Sequence, residues 1–469
     1  MIRGSAHNLK RTRESNIKES HDSEERASKK SVNVEQSVSE IAKSSNKYLD
    51  SGVKLTYVVD CTAKENIDTV KLKDIIGDEN LEELYQFNFT VDLEYLMSNL
   101  AENVRSTAKV HVIHGMRESA PILETSQNSE DGSSSLSERK RLLSKNVGQM
   151  GKNNVPYVKV AIVTANICYA DWNNMCQAAY QTPIISLKSI RSTTGILIGS
   201  EHGSPFERDL LTYFRAYRMQ VTDNLCAKLE KYDFSECKAV IIGSTPGYHK
   251  GEDMQNWGLK RLQYVLTKKV DITPECQKNS IVLTQMKSLE GEYGRPHDLA
   301  FAGFLRMAGA TYQSLHNWFP KYLCKWAGKA GGRERAMPHY KSYTRLRVNK
   351  DITSDSSEND KDARASIAWH LVTSANLSRA AWGDLQKNGS QLHIRHYELG
   401  VLIYPDLWED GQAHILVANH SNTQPLPPKF ISEQHPTIIP VRIPYGLPPA
   451  EYTKSDHCWT TAVVDVDSD

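Results

Sequence analysis

The sequence predicts an α/β protein in which one αβ domain occurs twice. Two segments share the pattern A-N-[IL]-x-x-A-x-W, namely Ala165–Trp172 and Ala375–Trp382. A β-branched, strand-like run leads into each copy, Ile162–Thr164 in the first and Leu371–Ser374 in the second. The two copies lie too far apart for a solenoid repeat, so a duplicated domain is the simplest explanation.

Composition and charge restrict the fold classes and functions that the chain could have. A chain of 469 residues is long for a single domain, so two domains plus some unstructured length are expected. The 57 basic and 56 acidic residues nearly cancel, yet a local basic groove can lie within a neutral total. The 8 cysteines form no Cys-x-x-Cys pair, which argues against a zinc site or a disulfide framework and favours a reducing compartment. No long apolar run predicts a membrane span or a secretory signal.

Three regions follow from the change in composition along the chain. Residues 1–50 are basic and polar with almost no aromatics, so we expect a disordered tail. Its Lys10–Arg13 cluster fits a nuclear import signal or merely a soluble tail. Residues 51–236 are predicted to form an N-terminal domain and residues 237–469 a C-terminal domain.

Strand and helix patterns occur in both predicted domains. The segment 118–154 shows no convincing pattern, and the polar insert Asn349–Asp362 is expected to be a surface loop. Pro205–Lys231 is predicted to be helical. The predicted strands are Lys109–Gly115, Tyr157–Ala165, Ala239–Gly247 and Ile367–Ser374.

A His-x-Lys pair accompanies the second copy of the repeat. His339 and Lys341 are two apart on a strand-like segment, so both side chains should point to one face. The pair alone is weak, because a chain of this composition should contain roughly one by chance. Its position adds weight, since it precedes the strand that leads to Asn376 by one loop.

Such a cluster suits phosphoryl transfer without a metal. Lys and Asn side chains would donate to the non-bridging phosphate oxygens, where charge gathers in the transition state. Two facing clusters would place a His on each side of the phosphorus, one to form a covalent phosphohistidine and one to protonate the leaving oxygen and then activate water. The plainer alternative is that Asn166 and Asn376 are helix N-caps.

These residues, together with five further blocks, resemble the tyrosyl-DNA phosphodiesterase family of the phospholipase D superfamily. The likeness runs from about Leu72 to Trp459, and the blocks are specific as a set rather than singly. They are Val112–Gly115, Ile242–Gly247, Val372–Trp382, Tyr397–Val401 and Pro444–Pro449.

The resemblance implies a pseudo-symmetric pair of α-β-α domains with the active site in the cleft between them. It implies hydrolysis of the 3′-phosphodiester that links DNA to a tyrosine of a trapped topoisomerase, and of other 3′ adducts. The implied partner is single-stranded or 3′-end DNA with a tyrosyl peptide adduct, and the implied protein is a nuclear monomer and exonuclease-like nuclease that needs no cofactor or metal and does not bind membranes. Activity should therefore survive chelation.

The family's functional residues map onto this chain one by one. The general acid/base corresponds to His339, the phosphate-binding residues to Lys341 and Asn376, and a carboxylate that supports a catalytic His to Glu398. The substrate-binding residues implied by the resemblance are Asn166, Gln177, Ser244 and Trp459.

The chain departs from the family where the first His-x-Lys motif should be. No histidine occurs between Gly115 and Glu201, and the stretch Ser144–Gly151 before the first repeat looks loop-like. The region Ile281–Tyr312 also looks short. Three explanations stay open: coding segments lost from the sequence, a pseudoenzyme that still grips DNA, or a different nucleophile.

Two other functions compete with the phosphodiesterase reading. A phospholipase motif would place Asp five residues after Lys341, but this position is Leu346. A catalytically inactive homologue that binds DNA ends is the stronger rival, because half of an active site can still bind a phosphate.

Overall fold

The computed structural model describes most of the chain between residues 47 and 460. The predicted tail up to residue 46 and the insert 349–362 lie outside the described residues. The described residues are 47–115, 145–152, 155–188, 203–272, 274, 280–286, 288–290, 299–302, 306–307, 322–348, 365–408, 411–419, 436–447, 449–453 and 459–460.

The first half of the chain forms an eight-stranded mixed sheet. Its strands are β1 (Val53–Thr56), β2 (Thr69–Val70), β3 (Leu81–Asn88), β4 (Lys109–His114), β5 (Lys145–Lys152), β6 (Val155–Val163), β8 (Ala178–Gln181) and β9 (Ile185–Ser186), with β7 (Met175–Cys176) outside the sheet. The strand order is β2-β1-β8-β6-β5-β3-β4, and β9 pairs with β6. The helices are α1 (Leu72–Ile76), α2 (Leu93–Ser98), α3 (Tyr169–Asn173), α4 (Pro205–Arg215) and α5 (Gln220–Leu229), with a 3₁₀ turn at Glu102–Val104.

The second half forms a nine-stranded sheet and two smaller sheets. Its strands are β10 (Val240–Ser244), β11 (Gly247–Lys250), β12 (Ser280–Gln285), β13 (Ser288–Glu290), β14 (Leu299–Ala302), β15 (Arg306–Met307), β16 (Leu323–Cys324), β17 (Met337–Pro338), β18 (Lys341–Val348), β19 (Ala365–Thr373), β20 (Leu377–Ser378), β21 (Asp384–Gln386), β22 (Gln391–Ile394), β23 (Glu398–Ile403), β24 (His414–Asn419), β25 (Thr437–Arg442) and β26 (Trp459–Thr460). The main order is β10-β23-β19-β18-β12-β14-β16. The helices are α6 (Gly258–Lys268) and α7 (Arg379–Trp382), with 3₁₀ turns at Gly251–Asn256 and Pro405–Trp408.

The two large sheets repeat one topology, which confirms the predicted duplication. The path β1-β8-β6-β5-β3-β4 of the first half corresponds to β10-β23-β19-β18-β12-β14 of the second. Every pairing along both paths is antiparallel except the last, β3 with β4 and β12 with β14, which is parallel in both. The two halves are therefore pseudo-symmetric α/β units.

Alternating side chains give each sheet two apolar faces. In β6, Ala161 and Val163 pack with α1 and α2, while Val160 and Ile162 pack with α4 and α5. The core around α4 and α5 also includes residues of the second sheet, such as Val401 of β23. The helices α4 and α5 thus share one continuous core with both halves.

Three local predictions differ from the structure. Ser144–Gly151 was expected to be a loop, but β5 spans residues 145–152 and pairs with β3 and β6, because sheet neighbours on both sides override a poor strand composition. The predicted helix Pro205–Lys231 is two helices, separated where Arg218 adopts a left-handed φ of 54°. The segment Lys109–Gly115 also reads as a buried strand in the sequence, but β4 lies at the sheet edge and of its side chains only Ile113 is buried.

Candidate active site

A short parallel ladder joins the two halves beside the His-x-Lys pair. The strand β17 pairs with β7, and the carbonyl oxygen of Cys176 accepts the main-chain N–H groups of His339 and Tyr340, both at 3.0 Å. The strand β18 begins only at Lys341 and β17 ends at Pro338, so His339 lies between the two strands rather than within one. The reason is that the backbone of His339 bonds to the first half of the molecule instead of to a strand of its own sheet.

The side chain of His339 also reaches the first half. Its Nδ1 atom lies 2.7 Å from Nε2 and 3.1 Å from Oε1 of Gln177. Gln177 is fully buried, and it also contacts Thr164, whose hydroxyl is 2.8 Å from Oε1, and Asp171, whose Oδ2 is 3.4 Å from Nε2. The residue assigned to substrate binding by resemblance is thus the hydrogen-bond partner of His339.

Lys341 and Asn376 lie at the same end of the second sheet. The strands β18 and β19 are antiparallel neighbours, as the sequence predicted, and Lys341 pairs with Thr373, three residues before Asn376. Lys341 is buried and Asn376 is half-buried. A buried lysine ammonium at the end of a sheet can bind the oxygens of a phosphate.

Asn166 is held by its own half of the molecule. Its Nδ2 donates to Oδ2 of Asp171 at 3.2 Å, its main-chain N–H donates to the same oxygen at 2.8 Å, and its Oδ1 accepts the N–H of Thr90 at 3.3 Å. Asp171 is itself buried. This fixes the amide of Asn166 in one orientation.

Neither repeat asparagine caps a helix, so the N-cap alternative is wrong. The N-cap of α3 is Cys168. The N-cap of α7 is Ser378, whose hydroxyl accepts the N–H of Ala381 at 3.2 Å. In both copies the asparagine precedes the cap by two residues.

Glu398 accepts a hydrogen bond from a hydroxyl group, as Gln177 does. The hydroxyl of Ser374 donates to Oε2 of Glu398 at 2.5 Å and accepts the N–H of Leu399 at 3.1 Å. The Glu398 side chain is 14% exposed. Burial raises the pKa of this carboxyl, although the Ser374 hydrogen bond and the charge of Lys341 lower it in part.

Gln177 and Glu398 are equivalent under the pseudo-symmetry. In the first half Thr164 bonds to Gln177 and accepts the N–H of Ala178 at 3.0 Å, as Ser374 bonds to Glu398 and accepts the N–H of Leu399. The side chain of Gln177 is hydrogen-bonded to His339, which belongs to the second half. The symmetric partner of Glu398 would be a side chain just before the strand β5, and no histidine occurs in the sequence between Gly115 and Glu201.

The remaining predicted site residues have simpler surroundings. Ser244 is buried and lies opposite Glu398 in the ladder between β10 and β23. Trp459 belongs to β26, which pairs with β15, and its side chain lies outside the described residues.

Sequence reasoning missed Thr164, Asp171 and Ser374. The two hydroxyls were visible, because V-T-A-N and T-S-A-N both carry a hydroxyl residue two positions before the repeat asparagine. Asp171 carried no such signal, since Ala381 occupies its place in the second copy.

The part of the chain that the structure describes contains neither a metal-binding cluster nor a helix that could cross a membrane. Over the residues the structure describes, no group of three or more His, Cys, Asp or Glu side chains could hold a metal ion. Among the described helices, none has the length and apolar character needed to cross a membrane.

Comparison with known proteins extends over nearly the whole chain. The family model described as "Tyrosyl-DNA phosphodiesterase" matches residues 52–298 and 297–453. A "Probable tyrosyl-DNA phosphodiesterase" of Schizosaccharomyces pombe is 28% identical, covering 91% of this chain and 95% of the relative. The "Tyrosyl-DNA phosphodiesterase 1" of Arabidopsis thaliana is 27% identical, covering 93% and 78% respectively.

A solved structure shares the fold. The crystal structure of the yeast tyrosyl-DNA phosphodiesterase aligns with a TM-score of 0.58 at 16% identity, covering 87% of this chain and 99% of the yeast chain. At that identity the likeness concerns the fold, which is of the phospholipase D type predicted from the sequence.

Proposed function

This chain belongs to the tyrosyl-DNA phosphodiesterase family, and from that premise we propose that it binds DNA 3′ ends carrying a tyrosyl adduct and hydrolyses the 3′-phosphodiester only slowly. By family the protein is a phosphodiesterase of DNA repair. The observation that carries the proposal is the contact between Gln177 and His339, which preserves one complete acid–base group across the two halves.

The acid–base role of His339 follows from that contact. Gln177 is hydrogen-bonded to Nδ1 of the imidazole, and we assign the proton transfer to the other ring nitrogen, Nε2. An imidazolium can give a proton to a leaving phenolate, and the neutral imidazole that remains can later take one from water. Protonation of the tyrosyl oxygen is therefore the step we assign to His339.

Phosphate binding is assigned to Lys341 and Asn376. A cation and an amide donor at the end of one sheet can hold the non-bridging oxygens while charge builds up on them. Lys341 is already desolvated by burial, so a phosphate gains more from it than from a solvated lysine.

We expect slow hydrolysis because the first half of the sequence lacks the histidine that would serve as nucleophile. Covalent catalysis needs a nucleophile opposite the leaving group, and the stretch between Gly115 and Glu201 contains no histidine to provide one. Losing a nucleophile typically removes most of an enzyme's rate enhancement and leaves what binding and electrostatics supply. A catalytically inactive homologue that binds DNA ends is the second candidate, and it rests on the same observation.

The setting of this activity is part of the proposal. We expect a nuclear monomer whose partner is single-stranded or 3′-end DNA, with exonuclease-like trimming of other 3′ adducts where turnover occurs. Binding should weaken as salt rises, because phosphate contacts release counterions. No cofactor is required for the steps assigned above.

Binding of fluorescently labelled oligonucleotides tests the proposal. A short single strand with a 3′-phosphotyrosyl group should bind about tenfold tighter than the same strand with a 3′-hydroxyl, because only the former places a phosphate against Lys341. Lys341→Met should abolish the preference, whereas Lys73→Met, an exposed lysine on α1, should keep it. Equal affinity for the two strands would overturn the proposal.

A further inference from the structure

We propose that Tyr248 is a stacking site for a nucleobase of the bound DNA strand. The residue lies on β11 and is 63% exposed. Its ring stacks on the imidazole of His393 in the neighbouring strand β22, with the ring centroids 4.3 Å apart and the ring planes 12° from parallel. Among the stacked aromatic pairs of the described residues, no other contains a ring that is more than half exposed.

The contact with His393 prepares the ring for a second stacking partner. A flat ring has two faces, and His393 covers one of them, so the exposed area of Tyr248 lies on the other face and at the edge. A ring that is already held by one contact loses little conformational freedom when a base stacks on its free face. Stacking on an aromatic ring tolerates any base sequence, because every base has a flat face.

The strand β11 lies close to the end of the second sheet that carries the active site. Ser244, the last residue of β10, pairs with Glu398, and Tyr248 follows Ser244 by four residues, which span at most about 14 Å. The strand β10 lies three strands from Lys341 in the main sheet, about 14 Å away. About eight stacked nucleotides, at about 3.4 Å each, cover both distances, so a short single strand held at Lys341 can reach Tyr248.

The small sheet β11-β22-β21 has one apolar face and one polar face. The face opposite Tyr248 buries Leu392 and Ile394 in the core. The side chains that surround the stacked pair on its own face are polar or charged: Lys250, Asp384, Gln386 and Gln391. An apolar protein surface would find little to contact here besides the ring, whereas a base can stack on the ring while its phosphate pairs with the ammonium of Lys250.

Basic side chains accompany the exposed ring. Lys250 and Arg395 follow the two stacked residues by two positions each, Lys387 lies at the turn between β21 and β22, and all three are exposed. The one carboxylate within the three strands, that of Asp384, lies 3.8 Å from the guanidinium of Arg379. An aromatic ring flanked by cations is the arrangement that holds single-stranded nucleic acid without reading its sequence.

This inference deepens the proposed function, since it rests on DNA binding, and it concerns the bases of the strand rather than its 3′ adduct. Tyr248→Ala should weaken the binding of a fluorescently labelled single strand of about ten nucleotides by about tenfold, the effect of one base–aromatic stack. Tyr248→Phe keeps the ring and should bind as tightly as the wild type. Tyr248→Leu keeps the bulk without the ring and should be as weak as Tyr248→Ala.

A residue of the same small sheet provides the matched control. Leu385 is 42% exposed and pairs with Leu392, so it lies on the face opposite Tyr248, and Leu385→Ala should leave the affinity unchanged. The loss in Tyr248→Ala should be equal at low and high salt, because stacking releases no counterions. An unchanged affinity in Tyr248→Ala, a loss that shrinks as salt rises, or an equal loss in Leu385→Ala would overturn the inference.

The 3′ adduct separates this inference from the proposed function. Tyr248→Ala should weaken the 3′-phosphotyrosyl and the 3′-hydroxyl strand by the same factor, because the ring contacts a base that both strands share. A wild type that does not prefer the phosphotyrosyl strand, but whose binding still depends on Tyr248, would count against the proposed function alone. Loss of the preference in Tyr248→Ala would mean that the ring contacts the adduct, which would overturn the inference.

Photo-cross-linking of the unaltered chain keeps the inference testable if Tyr248→Ala fails to fold. In a set of strands, 5-iodouracil replaces one base at a time over about the last eight positions before the 3′ end. After irradiation, mass spectrometry of the digested protein should find a cross-link at Tyr248 from at least one position. A complete set of strands without a cross-link at Tyr248 would overturn the inference.

Discussion

Gln177 and Glu398 occupy equivalent positions in the two halves of the molecule, yet one is an amide and the other a carboxyl. Each accepts a hydrogen bond from a hydroxyl at the same place in the repeat, Thr164 for Gln177 and Ser374 for Glu398. An amide can donate to a histidine, whereas a carboxylate can only accept. The duplicated fold thus carries two chemically different half-sites, and the first-half histidine that Glu398 would face is missing from the sequence.

The raised pKa of Glu398 predicts how stability changes with pH. Burial disfavours the carboxylate in the folded state, so this group's contribution is fully present below the ordinary glutamate pKa of 4.5 and is lost as pH rises through the higher folded value. Glu398→Gln should therefore gain stability relative to the wild type as pH is raised from 4.5 to 8. Urea denaturation at several pH values measures the difference.

Glu83 supplies a control of opposite sign. Burial alone would raise the pKa of Glu83, but hydrogen bonds from Lys228, Tyr85 and His111 together lower it. Its stabilising contribution is present above the ordinary glutamate pKa and is lost as pH falls. Glu83→Gln should therefore lose stability relative to the wild type over the same rise in pH, and a common sign for both variants would contradict the electrostatic account.

A buried arginine should prove essential to the contact between the halves. Arg333 is fully buried and donates to the carbonyls of Glu65 at 2.7 Å and Thr56 at 3.1 Å, both in the first half. Arg333→Met leaves these two carbonyls without that donor and removes a fully buried side chain, and we expect a loss of about 3 kcal/mol in the free energy of unfolding. The measurement is denaturant unfolding followed by tryptophan fluorescence.

A neighbouring arginine provides the matched control. Arg335 is 58% exposed and pairs with Glu65 at 3.5 Å, so Arg335→Met should cost less than about 1 kcal/mol. Equal losses for the two variants would show that Arg333 does not join the halves.

The buried histidine of β19 predicts acid sensitivity. Burial lowers the pKa of His370 to about 3, and its Nδ1 atom lies 2.8 Å from the hydroxyl of Thr344. A depressed folded pKa means that stability is lost as pH falls below the ordinary value of 6.5, because only the unfolded chain then binds the proton. Between pH 6.5 and 5 the wild type should lose about 2 kcal/mol more than His370→Gln.

The range above that pH provides the internal control for His370. Between pH 7.5 and 8.5 neither form titrates at this position, so the difference in stability between the wild type and His370→Gln should stay constant. A pH-independent difference down to pH 5 would mean that His370 is protonated in the folded protein at acid pH.

Much of the fold could be predicted because several strands and the repeat have recognisable local residue patterns. The strands β6 and β19 are β-branched runs that end at the repeat, and the repeat itself indicated the duplication. The strand β5 could not be predicted, since its Gly, Asn and Lys residues have low strand propensity and its neighbours alone make it a strand.

The sequence indicated which residues belong to the site but not which of them contact one another. The resemblance singled out His339 and Gln177, yet 162 positions separate them in sequence, and no local pattern indicates that they touch. The hydroxyl of Thr164 is visible in the repeat, but its contact with Gln177 could not be predicted, because no local pattern indicates it.

Pseudo-symmetry also predicts where the missing motif could be restored. Lys341 pairs with Thr373, three residues before Asn376, and the position three residues before Asn166 is Val163. The ladder between β5 and β6 pairs Asn146 with Ala161, and this register gives 142 and 144 as the sequence positions that correspond to His339 and Lys341. The double variant Leu142→His with Ser144→Lys should therefore hydrolyse 3′-phosphotyrosyl DNA measurably faster than the wild type.

A register-shifted variant is the control for that gain. Leu143→His also creates a His-x-Lys pattern, with Lys145, but one residue away from the sequence positions that correspond to His339 and Lys341, and a slip of one residue exchanges the two faces of a strand. It should give no gain in rate. A larger gain from Leu143→His than from the double variant would contradict the equivalence drawn between the halves.

The most direct test of the central claim is turnover of a 3′-phosphotyrosyl oligonucleotide by the unaltered chain in the presence of a chelator. We predict saturable binding with slow hydrolysis that falls further in His339→Ala, because His339 acts as the acid but has no nucleophile opposite it. Rapid multiple turnover would contradict the account and would mean that another group of this chain attacks the phosphorus.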